Sequence, residues 1–165
     1  MCRWCLLVMM LAVGVAAVSS RFAAAQGNRV NAADVIGTWQ LNLQKSSWGE
    51  FPPPKSRTVD IVRFDESGIE WTATEIDEKG NTISSSWEGP LDGTPMEASG
   101  TTIGVLYAFR STEQGMRMKA TYPDGSKITG LATISADGKT LLLRRQMTSP
   151  TRGNAEWTEV YEKVP

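Results

Sequence analysis

Val35-Ile36-Gly37-Thr38-Trp39-Gln40-Leu41-Asn42-Leu43 is the stretch on which the fold turns. Taken at a two-residue period, Val35, Gly37, Trp39, Leu41 and Leu43 share one face, while Thr38, Gln40 and Asn42 share the other. That is the pattern of a strand buried on one side. The same alternation returns downstream and predicts strands over Ser56–Phe64, Ile69–Ile76, Asn81–Glu88, Thr101–Arg110, Gly115–Tyr122, Ser126–Ile134, Thr140–Met147 and Ala155–Val164. Between them stand turn sequences such as Asp65-Glu66-Ser67-Gly68, Asp77-Glu78-Lys79-Gly80, Pro123-Asp124-Gly125 and Ala136-Asp137-Gly138-Lys139. A glycine near an acidic or amide residue lets the backbone reach positive φ in a tight hairpin, so consecutive strands are antiparallel neighbours. No segment here holds an apolar period of 3.6, which predicts almost no helix.

Strands joined mostly by hairpins predict an all-β fold, an antiparallel up-and-down β-barrel of about 8–10 strands, because closure removes exposed edges. The one long connection, Gln44 to Lys55, contains Trp48 and Pro52-Pro53-Pro54. A proline triplet favours an extended conformation and cannot occupy a central strand, so this interval reads as an Ω-type loop. Gly89 to Gly100, with Pro90, Gly93 and Pro95, reads as a loop or a short irregular strand.

Upstream of the strands, Arg3, the apolar run Leu6 to Val18 and the small residues ending in Ala23-Ala24-Ala25 match the three regions of a secretory signal peptide. The expected division is therefore a signal peptide over 1–25, a flexible leader over 26–34 and a barrel domain over 35–165, in a protein exported to the periplasm or beyond the cell. A retained anchor is the alternative reading of the apolar run; once the signal is cleaved, no membrane span is expected. Cys2 and Cys5 are the only cysteines; their spacing is that of a redox or zinc motif, but they fall in the signal, and the exported region has no thiol to form a disulfide.

Without Arg3 and Arg21 there are 15 basic residues against 18 acidic ones, a net charge of −3. This balance offers no broad attraction to nucleic acid. The chain contains no histidine, which excludes the commonest general base, the commonest metal ligand and the Ser-His-Asp arrangement. No nucleophile elbow, phosphate loop or dinucleotide fingerprint is present. No catalytic residue, metal site or cofactor is assigned. A glycosidase-like carboxylate pair is the one enzymatic mechanism the composition permits, although the acids read mainly as solvated or turn-forming.

The aromatic residues are more informative. Trp71, Trp87, Tyr107, Trp157 and Tyr161 fall within strands, with Trp71 alternating with Ile69 and Ala73, and Tyr107 with Ile103, Val105 and Phe109. Barrels of this size are either filled by side chains or hold one small ligand, and the sequence leaves both open. Arg145 shares a face with Leu141, Leu143 and Met147, so an inward guanidinium there needs a partner: Glu159, Tyr161 or an acidic ligand. Arg63, alternating with Val59 and Ile61, is a second candidate for an inward basic residue.

Gly37-Thr38-Trp39 is a Gly-x-Trp, and the longer string through Gln40-Leu41-Asn42, with Lys45-Ser46 after it, the proline-rich loop and a terminal Val160-Tyr161-Glu162-Lys163, resembles small exported bacterial proteins of the lipocalin-like, calycin-barrel type. The resemblance implies a barrel whose interior can hold a small amphipathic molecule. It also implies that Gly37 and Trp39 are structural, with Trp39 closing the barrel bottom against a basic side chain from a late strand. Fatty-acid-binding relatives cover the mouth with two helices between the first two strands; here that interval is short and proline-rich, so no helical lid is expected.

Three functional readings follow. The first is a non-catalytic exported barrel binding a small apolar or amphipathic molecule, with Trp71, Trp87, Tyr107, Arg145, Trp157 and Tyr161 as ligand-contacting residues. The second is a filled barrel acting as an envelope or extracellular interaction module, presenting an outward Trp48 and the proline loop to a protein partner the sequence does not identify. The third is a carboxylate-dependent hydrolase, which needs two acids converging in a pocket.

Overall fold

A computed structural model describes residues 31–101 and 103–165; the expected signal peptide and most of the leader lie outside the described residues. The chain forms a short helical turn, α1 (Ala32–Val35), and eleven strands: β1 (Gly37–Leu41), β2 (Ser56–Asp65), β3 (Gly68–Ile76), β4 (Thr82–Gly89), β5 (Met96–Glu97), β6 (Ser99–Gly100), β7 (Leu106–Thr112), β8 (Gly115–Thr121), β9 (Lys127–Ile134), β10 (Thr140–Ser149) and β11 (Gly153–Lys163). All belong to one antiparallel sheet in the order β5-β7-β8-β9-β10-β11-β1-β2-β3-β4-β6. Among the described residues, no helix is long and apolar enough to cross a membrane.

Two features close the sheet into a nearly complete barrel. The first strand pairs with the last, Trp39 opposite Lys163 and Leu41 opposite Tyr161. The remaining seam, between β4 and β7, is spanned by the irregular segment that the sequence left as loop or strand. There β5 pairs with β7 and β6 with β4, and Ala98 between them is buried and donates its N–H to Val105. Closure leaves two-residue strands where an open sheet would expose long edges.

The hairpins form as the turn chemistry predicts. Asp65 accepts the backbone N–H groups of Ser67 and Gly68, Asp77 those of Lys79 and Asn81, Asp124 that of Ser126 and Asp137 that of Lys139. These acids fold turns.

Four local expectations need correction. The leader ends in structure, because the side chain of Asn31 accepts from Ala33 N–H and caps α1. β1 stops at Leu41, since Asn42 turns the chain by accepting the N–H groups of Gln44 and Lys45; Leu43 is consequently left exposed. Ile103 lies outside β7 and is 83% exposed, so it does not share the inner face of Val105, Tyr107 and Phe109. Arg63 points outward because a β-bulge shifts the β2–β3 register between Ile61 and Arg63. The extra residue inverts the alternation: Phe64 turns inward opposite Ile69, while Arg63 pairs with Glu70 and Glu88 on the outside.

Candidate functional site: the barrel interior

One end of the barrel is sealed. Trp39 is fully buried, its indole N–H donates to the Val35 carbonyl at 2.9 Å, and the Lys163 ammonium stands 5.3 Å from its ring centroid. That ammonium also donates to the carbonyls of Ala33 and Asp34 at 3.0 and 3.1 Å. Cation–π attraction and two carbonyl dipoles thus hold one lysine over one tryptophan. Gly37 permits the stack, because its φ is +136° and a Cβ there would lie 2.8 Å from the Lys163 side chain. The seal implied by the resemblance is present, with Lys163 as the basic residue.

The other end is organised by the long loop. Ser46 donates its hydroxyl to the Asn42 carbonyl and accepts the Val160 N–H, Ser47 pairs with Thr158, and Lys45 forms an ion pair with Glu162 at 2.6 Å. Pinned to β11 in this way, the loop lays Phe51 edge-on against Trp157, ring centroids 5.3 Å apart, and buries Pro54. Trp48 is half-buried against the core, with its indole nitrogen enclosed. The outward Trp48 required by the interaction-module reading is therefore absent. A loop replaces the helical lid.

Between the two ends lies a cavity of about 470 Å³. Its walls include Trp71, Tyr107, Phe109, Met118, Leu143 and Tyr161. Trp71 meets Tyr107 edge-on at 5.5 Å and Phe109 at 6.3 Å, so the aromatic wall is mutually braced. A second space of about 310 Å³ opens at the loop end between Trp48, Phe51, Tyr122, Met147 and Trp157.

Where the two spaces meet, four charges face inward. Glu159 is 1% exposed. One of its oxygens accepts from Arg57 Nη1 at 2.6 Å and Trp157 Nε1 at 2.9 Å; the other accepts from the Tyr161 hydroxyl at 2.7 Å and lies 3.3 Å from Arg145 Nη2. Arg57 also donates from Nε to Glu75 at 2.6 Å and from Nη1 to the Tyr161 hydroxyl at 3.2 Å. Burial by itself would raise the Glu159 carboxyl, but Arg145, Arg57 and the two neutral donors outweigh it and bring it down to about 2. Burial pushes the Tyr161 hydroxyl above the usual tyrosine range, against the pull of Arg57. It does the same to Tyr122, assisted by the neighbouring Tyr107. At neutral pH the cluster thus comprises two arginines, two carboxylates including an ionised Glu159, and neutral phenols.

Of the residues singled out in the sequence, the structure brings Trp71, Tyr107, Arg145 and Tyr161 to the interior cavity and Trp157 to the loop-end space. Trp87 is not on the cavity surface. It packs against Phe109 at 4.7 Å and donates its N–H to the Met96 carbonyl, bracing the seam. Arg145 has the Glu159 partner its apolar surroundings demanded. Sequence reasoning missed Arg57 and Glu75. A signal was available, since Arg57 shares parity with Val59 and Ile61, and Glu75 with Trp71 and Ala73. The same alternation selected Arg63 instead, which the bulge turns away.

No family model matches the chain, and no curated protein matches it in sequence. Solved structures do match. The chain is similar to the fluorescent protein UnaG, wild type, at 15% identity and a TM-score of 0.53, over 80% of this chain and 98% of that one. A variant of UnaG matches with 15% identity and a TM-score of 0.55, over 81% and 98%. A redesigned β-barrel matches with 15% identity and a TM-score of 0.50, over 81% and 94%. At this identity the likeness is one of fold, consistent with a calycin-type barrel.

Proposed function

We propose that this protein is an exported, non-catalytic carrier or sensor of a small, mainly apolar molecule held inside the barrel. The observation that carries the reading is the cavity of about 470 Å³ walled by Trp71, Tyr107 and Phe109 and bounded by Arg57 and Arg145, which pair behind it with the buried Glu159. Its size falls among pockets that enclose small ligands, and apolar walls with a few convergent polar groups are their usual chemistry. Export rests on the N-terminal sequence.

The geometry weighs against the hydrolase. Glu75 and Glu159 share Arg57 as an ion-pair partner, but only Glu75 lines the cavity. Glu159 is buried with both oxygens held by protein donors, so it presents no face to a substrate. The test is native mass spectrometry of protein purified gently from cells that make it, followed by titration with apolar compounds. A co-purified small molecule and saturable quenching of tryptophan fluorescence are expected. A bare mass with no saturable quenching by any compound defeats the reading.

A further inference from the structure

The small net charge hides a division on the outside of the barrel. β7 to β10 contain no aspartate or glutamate, while Arg110, Arg117, Lys119, Lys127 and Arg144 stand at their outward positions and are exposed. Among the described residues none of these five forms an ion pair. Arg110 donates to the Asp92 carbonyl, and Arg117 reaches only the Gln114 side chain at 3.3 Å. The opposite wall has the other sign: β2 to β4 turn Asp60, Asp65, Glu70 and Glu88 outward, with Arg63 as their one outward cation.

Register gathers the cations. Arg110 lies across from Arg117, Arg117 from Leu131, and Leu131 from Arg144, so at a strand spacing of about 4.8 Å three arginines share a line of about 14 Å. Lys119 stands in the next row, between Ala108 and Thr129, and Lys127 in the row after, between Thr121 and Thr148. Like charges directly opposite each other destabilise a sheet, so the Arg110–Arg117 pair is a cost that an anionic partner relieves. The last row ends in an apolar corner. Leu106, outward beside Thr121, is 41% exposed, Ile103 before it is more exposed still, and Gly104 brings their turn against Pro123. This corner lies at the loop end, because Tyr122 and Ser126 line the space there. The nearby acids are occupied: Asp124 folds its turn through Ser126, and Glu97 accepts the Gly104 N–H.

A soluble polyanion or an acidic peptide uses the cations and leaves Ile103 and Leu106 idle. An anionic bilayer uses both, since peripheral binding sums buried apolar area and electrostatic attraction. At about 0.1 M salt the Debye length is about 10 Å, so the acidic wall across the barrel is largely screened from a surface that the basic wall touches. We propose that the outer face of β7 to β10 and the Ile103–Leu106 corner dock this protein on a bilayer rich in anionic lipid, with the loop end of the barrel at the lipid surface. Docking of this kind does not require an occupied interior.

Flotation of the full chain with vesicles tests this. Phosphatidylcholine vesicles containing phosphatidylglycerol should bind it at least about tenfold more tightly than phosphatidylcholine alone at about 0.1 M salt, and the difference should vanish at about 1 M, where the Debye length is about 3 Å. The N-terminal apolar run is common to the wild type and every variant, so differences between them report on the barrel. Arg117→Ser combined with Arg144→Ser should weaken binding to the anionic vesicles at least about tenfold, whereas Lys55→Ser combined with Lys79→Ser, the same loss of charge beside β2 to β4, should change it less than about twofold. Ile103→Ser should weaken vesicle binding about fivefold and leave binding to dextran sulfate unchanged. All these positions are exposed, so the unfolding midpoints should match the wild type. Equal losses in the two double variants overturn the assignment to this face. Dextran sulfate bound as tightly as the anionic vesicles, with Ile103→Ser neutral toward both, overturns the lipid assignment in favour of a soluble polyanion. Equal binding to both vesicle types by the wild type overturns docking altogether, whether or not the interior holds a guest.

Discussion

The two ends of the barrel solve the same problem, a cation inside a protein, in opposite ways. At the sealed end Lys163 lies over the Trp39 face and donates to two main-chain carbonyls, so its charge meets only neutral partners and its hydrocarbon stem fills space. At the other end Arg57 and Arg145 converge on an ionised carboxylate and leave room beside themselves. The first arrangement spends its polar groups on closure. The second leaves both guanidinium groups on the wall of a cavity. A stabilising end and a receptive end are thus distinguishable by the space left beside the cation.

The contrast can be broken most forcefully at Trp39. Trp39→Ala empties the seal and should cost about 3–5 kcal/mol in urea unfolding, the range for a large aromatic lost from a core. Any folded fraction should retain its interior affinity, because the cavity lies elsewhere; a parallel loss of binding in that fraction would merge the two ends into one unit.

The next largest effect is on acid stability. Glu159 has its folded-state carboxyl at about 2, below the 4.5 of a free glutamate, so it contributes stability that is fully present above the unfolded value and is lost as pH falls through the folded one. Unfolding free energy should therefore drop by about 3 kcal/mol between pH 4.5 and 2. In Glu159→Gln this component of the acid limb should be absent, whereas Lys163→Met should retain it. An identical limb in the wild type and Glu159→Gln would deny the buried ion pair its energetic role.

The smallest effect belongs to the loop. Phe51→Ala removes the edge-on contact with Trp157 and should cost about 1 kcal/mol of stability. Its larger consequence should be kinetic: faster release of a bound apolar compound in stopped-flow fluorescence, with the seal at Trp39 untouched. Unchanged release would mean that the loop end is not the way out.

Much of this architecture was legible in the chain. Nine of the eleven strands overlap segments marked by period-two alternation and glycine-bearing turns, since those patterns depend on neighbours only a few residues away. The inward positions of Trp71, Tyr107, Arg145 and Tyr161 followed from the same parity. Parity failed where the backbone inserted one residue: the bulge after Ile61 sends Arg63 outside, and no local signal in Val62-Arg63-Phe64 marks it. It failed again at Ile103, where Gly104, at φ +73°, turns the chain and β7 starts only at Leu106.

The amino-acid order determined that the barrel would form and that histidine or thiol chemistry would play no part in it, while the resemblance implied a basic partner for Trp39. Only the tertiary structure decided which cation meets Trp39, that Arg57 and Arg145 share one carboxylate, and that the barrel is hollow. The physical reason is one of range. Alternation and turn propensity act between near neighbours, whereas Arg57 and Glu159 lie on β2 and β11 and meet only after β1 has paired with the last strand. A cavity is a residue of three-dimensional packing, set by how the wall side chains fail to fill the space that closure encloses.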